Sequence, residues 1–160
     1  MTVVKPTLKP TRYGQTGFTL MELMVVLALL AIIATIAIPG FMSLLPGMRL
    51  NGAARQVMGD LMAARMKAVK LNHRTQVIFD SSSQYRICDD ADNNGTVDDG
   101  EGDVQTRNIQ TEYHDVTMSS TNNPIFHPRG TATNLATVTV QNSSGSKAVT
   151  ISIAGRVKIS

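Results

Sequence analysis

Hydrophobic and polar positions fall along this chain in three regimes. From Phe18 to Ile38 the residues FTLMELMVVLALLAIIATIAI are apolar on every helical face, and Glu22 is the one ionisable group among them. As an α-helix this stretch would rise about 31 Å, the thickness of a bilayer's hydrocarbon core. Pro39-Gly40 and Pro46-Gly47 follow. Proline removes a backbone donor and crowds the preceding turn, so a kink or short unwound stretch is predicted there. Beyond it Leu50, Ala54, Val57, Leu61, Ala64, Ala68 and Leu71 recur at alternating steps of four and three, one apolar stripe on an amphipathic helix. Arg49, Arg55, Arg65, Lys67 and Lys70 lie mostly off that stripe, as a solvated face. Met58, Met62 and Met66 make an adjoining row, read as flexible core filler and not as a metal site.

After Asn72-His73-Arg74 the period changes to two. Gln76–Phe79 and Gln84–Ile87 flank Asp80-Ser81-Ser82-Ser83, which predicts a β-hairpin with a longer loop. Further strands are expected at Val116–Met118, Ala136–Val140, Ala148–Ile153 and Arg156–Ile159, with turns at Asn142–Gly145 and Ala154-Gly155. One long N-terminal helix packed on an antiparallel β-sheet makes the fold class α+β. The chain divides into residues 1–17, a membrane-spanning segment 18–38, a kink and amphipathic helix 39–74, and a β-rich head 75–160.

At 160 residues the chain has the size of one domain, which disfavours a multi-domain enzyme. Charged residues are 17%, well below the usual quarter, and the deficit is not spread evenly, since the spanning segment carries only Glu22. The single cysteine, Cys88, cannot close a disulfide within the chain. The net charge of +3 hides strong segregation. Residues 1–17 carry +3, 49–79 carry +5, 80–115 carry −8, and 116–160 carry +4 with no acid. The basic residues ahead of the apolar run place the N-terminus in the cytoplasm and the head across the membrane, as a single pass of the lipid. The apolar run ends in Ile38-Pro39-Gly40 without a small-x-small cleavage site, so any processing signal precedes it.

Gly17-Phe18-Thr19-Leu20-Met21-Glu22, with a short basic leader before it and the apolar helix after it, resembles the class III signal of the type IV pilin-like superfamily. The resemblance implies that a prepilin peptidase cuts after Gly17 and methylates the new N-terminus, Phe18. Glu22 is then the fifth mature residue, where this family carries a glutamate. A carboxylate within lipid costs several kcal/mol unless it is paired. Its natural partner is the N-terminal amine of an adjacent pilin or pseudopilin subunit, which sets one helix in register with the next. Further along, Leu61–Ala68 resembles "L-x-x-A-R-x-x-A" of the pseudopilin H and FimT-like branch. Phe126–Thr131 is similar to that branch's "F-x-P-x-G-T", and Ala154–Val157 to its closing "G-R" turn. The resemblance implies a minor subunit of a type II secretion pseudopilus or type IV pilus, at or near the tip.

Asp90–Glu101 fits the twelve-residue calcium-loop pattern. Asp90, Asp92 and Asn94 would offer side-chain oxygens and Thr96 its carbonyl; Asp98 would bind directly or through water, and Glu101 would close the site, with Gly95 at the sharp turn. Strand-like flanks replace the usual helix pair. The alternative is a solvated surface loop.

Enzyme chemistry has little to draw on. His73, His114 and His127 lack metal spacing, and acids beside Cys88 should raise its thiol pKa. No phosphate-cradling glycine motif or Gly-x-Ser-x-Gly elbow occurs. DNA is an alternative partner: DNA-binding FimT-like proteins end in "G-R-x-R", and here Gly155-Arg156-Val157-Lys158 keeps the charge but loses one planar fork. Arg156 and Lys158 should share one strand face, joining Lys147 and Arg129 in the acid-free segment.

Overall fold

The structure, a computed structural model, describes residues 17–94, 97 and 102–160. Two compact units, Met1–Gly40 and Phe41–Ser160, share one long helix, α1 (Leu20–Leu71). Its first turn is capped by Thr19, whose hydroxyl accepts the Glu22 backbone N–H at 3.2 Å. This is the Ser/Thr-x-x-Glu arrangement that opens many helices. In the first unit no described side chain is buried, and the helix is long and apolar enough to cross a membrane. Thr35 turns its hydroxyl back onto the Ile32 carbonyl at 2.6 Å, so this hydroxyl in the apolar run is satisfied inside the helix, as hydrocarbon surroundings require.

Helical structure continues through Pro39, Gly40, Pro46 and Gly47, so the unwound stretch expected at these residues does not form. Each proline withholds one hydrogen bond, from the carbonyls of Thr35 and Met42. In the second unit the Pro46 carbonyl gains a bond instead, accepting the Asn142 amide at 2.8 Å. The helix ends at Leu71, where Asn72 takes the left-handed conformation (φ 55°) that commonly closes a helix.

The head has two antiparallel sheets where one was expected. The first runs in the order β3-β2-β1-β5-β6, from β1 (Arg74–Phe79), β2 (Gln84–Asp90), β3 (Val104–Asn108), β5 (Ile125–Phe126) and β6 (Ala132–Thr133). The second runs β4-β7-β8-β9, from β4 (Thr117–Ser120), β7 (Thr137–Asn142), β8 (Gly145–Ile151) and β9 (Val157–Ile159). The predicted hairpin is β1–β2, with Phe79 opposite Tyr85. A 3-10 turn, Ile109–Thr111, leads from the first sheet towards the second.

The core lies between the α1 stripe and the sheets. Leu50, Ala54, Val57, Leu61, Ala64 and Ala68 are buried, joined by Ala53; Val77, Tyr85, Ile87 and Phe126 cover them from the first sheet, and Val138, Val140, Val149 and Ile151 from the second. Four alanines in that stripe allow close approach of helix and sheet. The stripe stops one step early, since Leu71 is exposed. The methionine row departs further from expectation. Met58 packs against the core, but Met62 and Met66 are exposed at 39% and 67%, lining an open groove beside the turn Ala154–Val157.

Candidate functional site

The processing residues lead directly into α1. Gly17 has nothing within 4 Å of where a side chain would start, and Phe18 is 81% exposed. Glu22 sits in the first helical turn, where the helix dipole favours a carboxylate. Around and beyond it, apolar side chains from Leu20 to Leu44 are exposed on all sides of the helix. A surface of this kind is covered by lipid or by other helices.

In the second unit the three short motifs of the head meet at Arg65. Its Nε donates to the Gly130 carbonyl at 2.8 Å, and Nη2 lies 3.5 Å from the Ala154 carbonyl. Gly130 and Gly155 both hold left-handed backbone, with φ 76° and 69°. A Cβ on Gly155 would stand 2.0 Å from the Gly130 carbonyl oxygen and 2.8 Å from Arg65 Nε. Each glycine lies in a local turn: Gly130 N–H bonds the His127 carbonyl at 2.8 Å, and Gly155 N–H bonds the Ser152 carbonyl at 2.8 Å. Ala132 N–H reaches across to the Ile153 carbonyl at 2.9 Å, tying the two turns together. Helix, β5–β6 turn and β8–β9 turn are therefore fastened at one point. His127 is pulled below its ordinary pKa by burial and by the cations Arg74 and Arg129.

Arg156 and Lys158 are exposed on either side of buried Val157, so they do project to one side. Lys147 does not join them. Lys158 is opposite Thr150, whereas Lys147 alternates with Ala148 and shares the sheet face of buried Val149 and Ile151. The sequence run that placed these charges together crosses from one face of the sheet to the other.

The acidic loop leaves β2 at Asp90, which is buried, and returns at Val104. Asn94 N–H donates to Asp90 Oδ1 at 3.0 Å and to Asp92 Oδ1 at 2.9 Å, and its side-chain amide reaches Asp92 Oδ2 at 2.8 Å. Both carboxylates thus accept hydrogen bonds from Asn94 at the start of the loop. Thr96, Asp98 and Glu101 lie outside the described residues, as does Gly95. Among the described residues no three His, Cys, Asp or Glu side chains are grouped to hold a metal.

The base of the loop was not foreseen. Asp89, 2% exposed, accepts Lys67 Nζ at 2.9 Å, and the same ammonium reaches Asp103 at 3.1 Å. Burial pulls the Lys67 pKa down, but the bonds to Asp89 and Asp103 outweigh it and leave the group above its ordinary value. Gln105 and then Lys67 hold Asp103 below the usual carboxylate value. Asp89 and Asp103 could have been noticed as acids bracketing the twelve-residue pattern; nothing in the sequence points to Lys67. Asp60 likewise accepts the hydroxyl of buried Tyr85, and burial followed by that bond raises the phenol's pKa. Cys88 is buried, and it is burial in the first place that raises its thiol.

A family model described as "Type II transport protein GspH" matches residues 53–155, and one described as "Prokaryotic N-terminal methylation motif" matches residues 12–38. No curated protein sequence matches the chain. Among solved structures, the type IV minor pilin FimU of Pseudomonas aeruginosa is 18% identical with a TM-score of 0.53, covering 69% of this chain and 87% of that one. The minor pseudopilin EpsH from the Type 2 Secretion System of Vibrio cholerae is 10% identical with a TM-score of 0.54, covering 70% and 96%. At these identities the two structures speak for the fold: one long N-terminal helix on antiparallel sheets.

Replacement of Gly155 by alanine should destabilise the head by about 2–5 kcal/mol, because its left-handed backbone and the Gly130 carbonyl both resist a side chain. Gly59→Ala, on the open face of α1, should have the opposite sign and stabilise by up to about 1 kcal/mol. Urea unfolding of the full chain in detergent reads both, and equal midpoints for the two variants would contradict the role given to the clasp.

Proposed function

The chain belongs to the type II transport protein GspH family, and from that premise we propose that its Gly17–Phe18 bond is cut, that Phe18 becomes the methylated N-terminus, and that Glu22 aligns the helix against a neighbouring subunit. It is a minor pilin subunit of the kind that serves type II secretion or type IV pili, a structural class and not an enzyme class. The methylation motif implies processing by prepilin peptidase and assembly with other pilin subunits, and the apolar helix anchors the chain in a membrane. The observation that carries the finer reading is the exposed apolar surface of α1 with one carboxylate in it. In hydrocarbon that carboxylate needs a cation, and cleavage after Gly17 creates an amine on each subunit at the same depth. The basic residues ahead of the helix support a cytoplasmic N-terminus and a periplasmic head in the inner membrane. The likeness to a minor pilin and a minor pseudopilin supports a place at or near the tip.

Two further readings follow from specific groups. Asp90, Asp92, Asn94, Thr96, Asp98 and Glu101 form a calcium set by their sequence spacing, and Asp90 and Asp92 stand together at its start, both bonded to Asn94. When bound, the ion would supply charge neutralisation for a segment of concentrated acid; the chain's own part is to hold the loop ends together through Lys67, Asp89 and Asp103. DNA capture during uptake draws on Arg156 and Lys158 and comes second to filament assembly, because Lys147 is on the other face of the sheet.

Intact-mass and N-terminal analysis of the protein recovered from its native host should find a chain beginning at Phe18 and heavier by one methyl group. A chain that retains residues 1–17 contradicts the processing reading. For the loop, limited proteolysis should cut between Cys88 and Val104 in chelator and be slowed about tenfold or more in millimolar calcium. Identical digestion in both conditions would remove calcium from the account.

A further inference from the structure

The second sheet ends at β9, and among the described residues no strand lies beyond it. The ladder with β8 fixes which backbone groups are left over. Ser160 N–H donates to the Ala148 carbonyl at 2.9 Å, Ala148 N–H returns a bond at 3.3 Å, and Ser152 N–H donates to the Arg156 carbonyl at 3.0 Å. Bonded residues alternate along an antiparallel strand. Arg156, Lys158 and Ser160 therefore turn their backbone towards β8, while Val157 and Ile159 turn theirs outward. The outward N–H and C=O groups form an open edge, a template onto which another chain can add as a strand.

The side chains on either face of that edge say what such a strand would carry. Val157 is buried in the core shared with α1. On that side a groove of about 540 Å³ runs between α1 and Ala154–Val157, reaching the first outward-facing residue of the edge. Met62 and Met66 line it. The clasp on Gly130 accounts for Arg65 in the groove wall but leaves the methionines without a purpose, and exposed methionine adapts to a partner's surface. On the other face Arg156 and Lys158 are exposed, and among the described residues neither has an ion-pair partner. Side chains of an added strand alternate between the two faces, so one set would meet methionine and the other would meet cations.

The same cations decide what the edge refuses. Like charges opposite one another on paired strands are destabilising, and opposite charges are stabilising. A second β9 would bring Arg156 and Lys158 against their own kind, which closes the edge to another copy of this chain and favours a strand bearing carboxylates. A nucleic-acid phosphate would satisfy the cations, yet leave the Val157 and Ile159 backbone unpaired and the methionines uncovered.

We propose that the open edge of β9 receives, as an added strand, an extended segment of an unlike subunit of the same filament. Its carboxylate side chains lie beside Arg156 and Lys158, and the aliphatic side chains that alternate with them reach Met62 and Met66. The proposal rests on the reading of the chain as a minor filament subunit, which meets unlike neighbours.

The edge is tested with the full-length protein in detergent and a fluorescent, end-blocked peptide of alternating glutamate and valine, followed by anisotropy. Binding should fall at least about tenfold when Arg156→Glu and Lys158→Glu are combined, and that variant should instead take the peptide with lysine in place of glutamate. Methylating the backbone nitrogens of one alternate set of peptide residues removes the N–H groups that face β9 and should cost at least about tenfold; methylating the other set should cost less than about twofold. No binding, equal cost for the two methylated sets, or indifference to charge reversal overturns the proposal. Duplex DNA that binds where the peptide does not assigns the cations to nucleic acid and also overturns it.

The occupant is tested in native membranes with Met66→Cys carrying a benzophenone maleimide; the native Cys88 is buried and stays unlabelled. Irradiation should give an adduct whose second chain is a different protein with a methylated N-terminal residue of its own, depleted about tenfold by the same charge reversal. No adduct, an adduct with a second copy of this chain, or one with a protein lacking such an N-terminus overturns the proposal. Leader cleavage and recovery in sheared filaments are scored on the same membranes. If both persist while the peptide does not bind, the edge proposal falls alone; if both are lost in the parent protein, the filament reading falls and the named occupant with it.

Discussion

One helix in this protein has to satisfy two solvents. From Phe18 to Leu44 its apolar side chains are exposed in every direction; from Leu50 to Ala68 a single stripe is buried and the remainder meets water or a partner. Exposed apolar surface costs about 25 cal/mol for each Å² left in water, so the first segment cannot stay bare. Under the proposed function, lipid covers it before assembly and neighbouring helices cover it afterwards. Glu22 is the exception built into that surface. Its charge is tolerable at the helix start, where backbone N–H groups are unpaired, and under the proposed function it pairs with an amine that another subunit brings to the same depth.

The head is organised around a different demand, close packing of helix and sheet at a few points. Alanines at 53, 54, 64 and 68 bring α1 near the strands, and Arg65 then crosses from the helix to the Gly130 carbonyl. Gly130 and Gly155 are needed because two turns meet backbone to backbone, with no room for a side chain. On the other side of the helix Lys67 does comparable work with Asp89 and Asp103. The two cations, two positions apart, explain how one helix face can hold a packed turn while the opposite face holds the mouth of an acidic loop.

Much of this was legible in the residues and some was not, for physical reasons. The buried stripe, the β1–β2 hairpin and the turns at Asn142–Gly145 and Ala154-Gly155 follow from period and turn chemistry, and they stand where expected. The motif carrying Gly17, Phe18 and Glu22 is local and needs no tertiary contact to be read. β3 was not visible because Val104–Asn108 is mostly polar and exposed, at the edge of its sheet. β5 and β6 have two residues each, too short for any period to show. Met62 and Met66 looked like core because hydrophobicity does not say which side of a helix faces the sheet. Lys147 seemed to join Arg156 and Lys158 because charge counted along the chain ignores alternation across a strand. The Lys67 cluster joins residues far apart in sequence, and no spacing rule anticipates it.

The central claim is that the carboxylate at position 22 matters for joining subunits and not for reaching the membrane. It is tested most directly by Glu22→Ala in the full-length chain, expressed in the native host and followed in parallel through membrane fractionation, leader cleavage and recovery in sheared filaments. The account predicts a variant that fractionates with the membrane and is cut like the parent protein, yet is depleted at least about tenfold from filaments. Recovery of the variant in filaments at the parental level would contradict it.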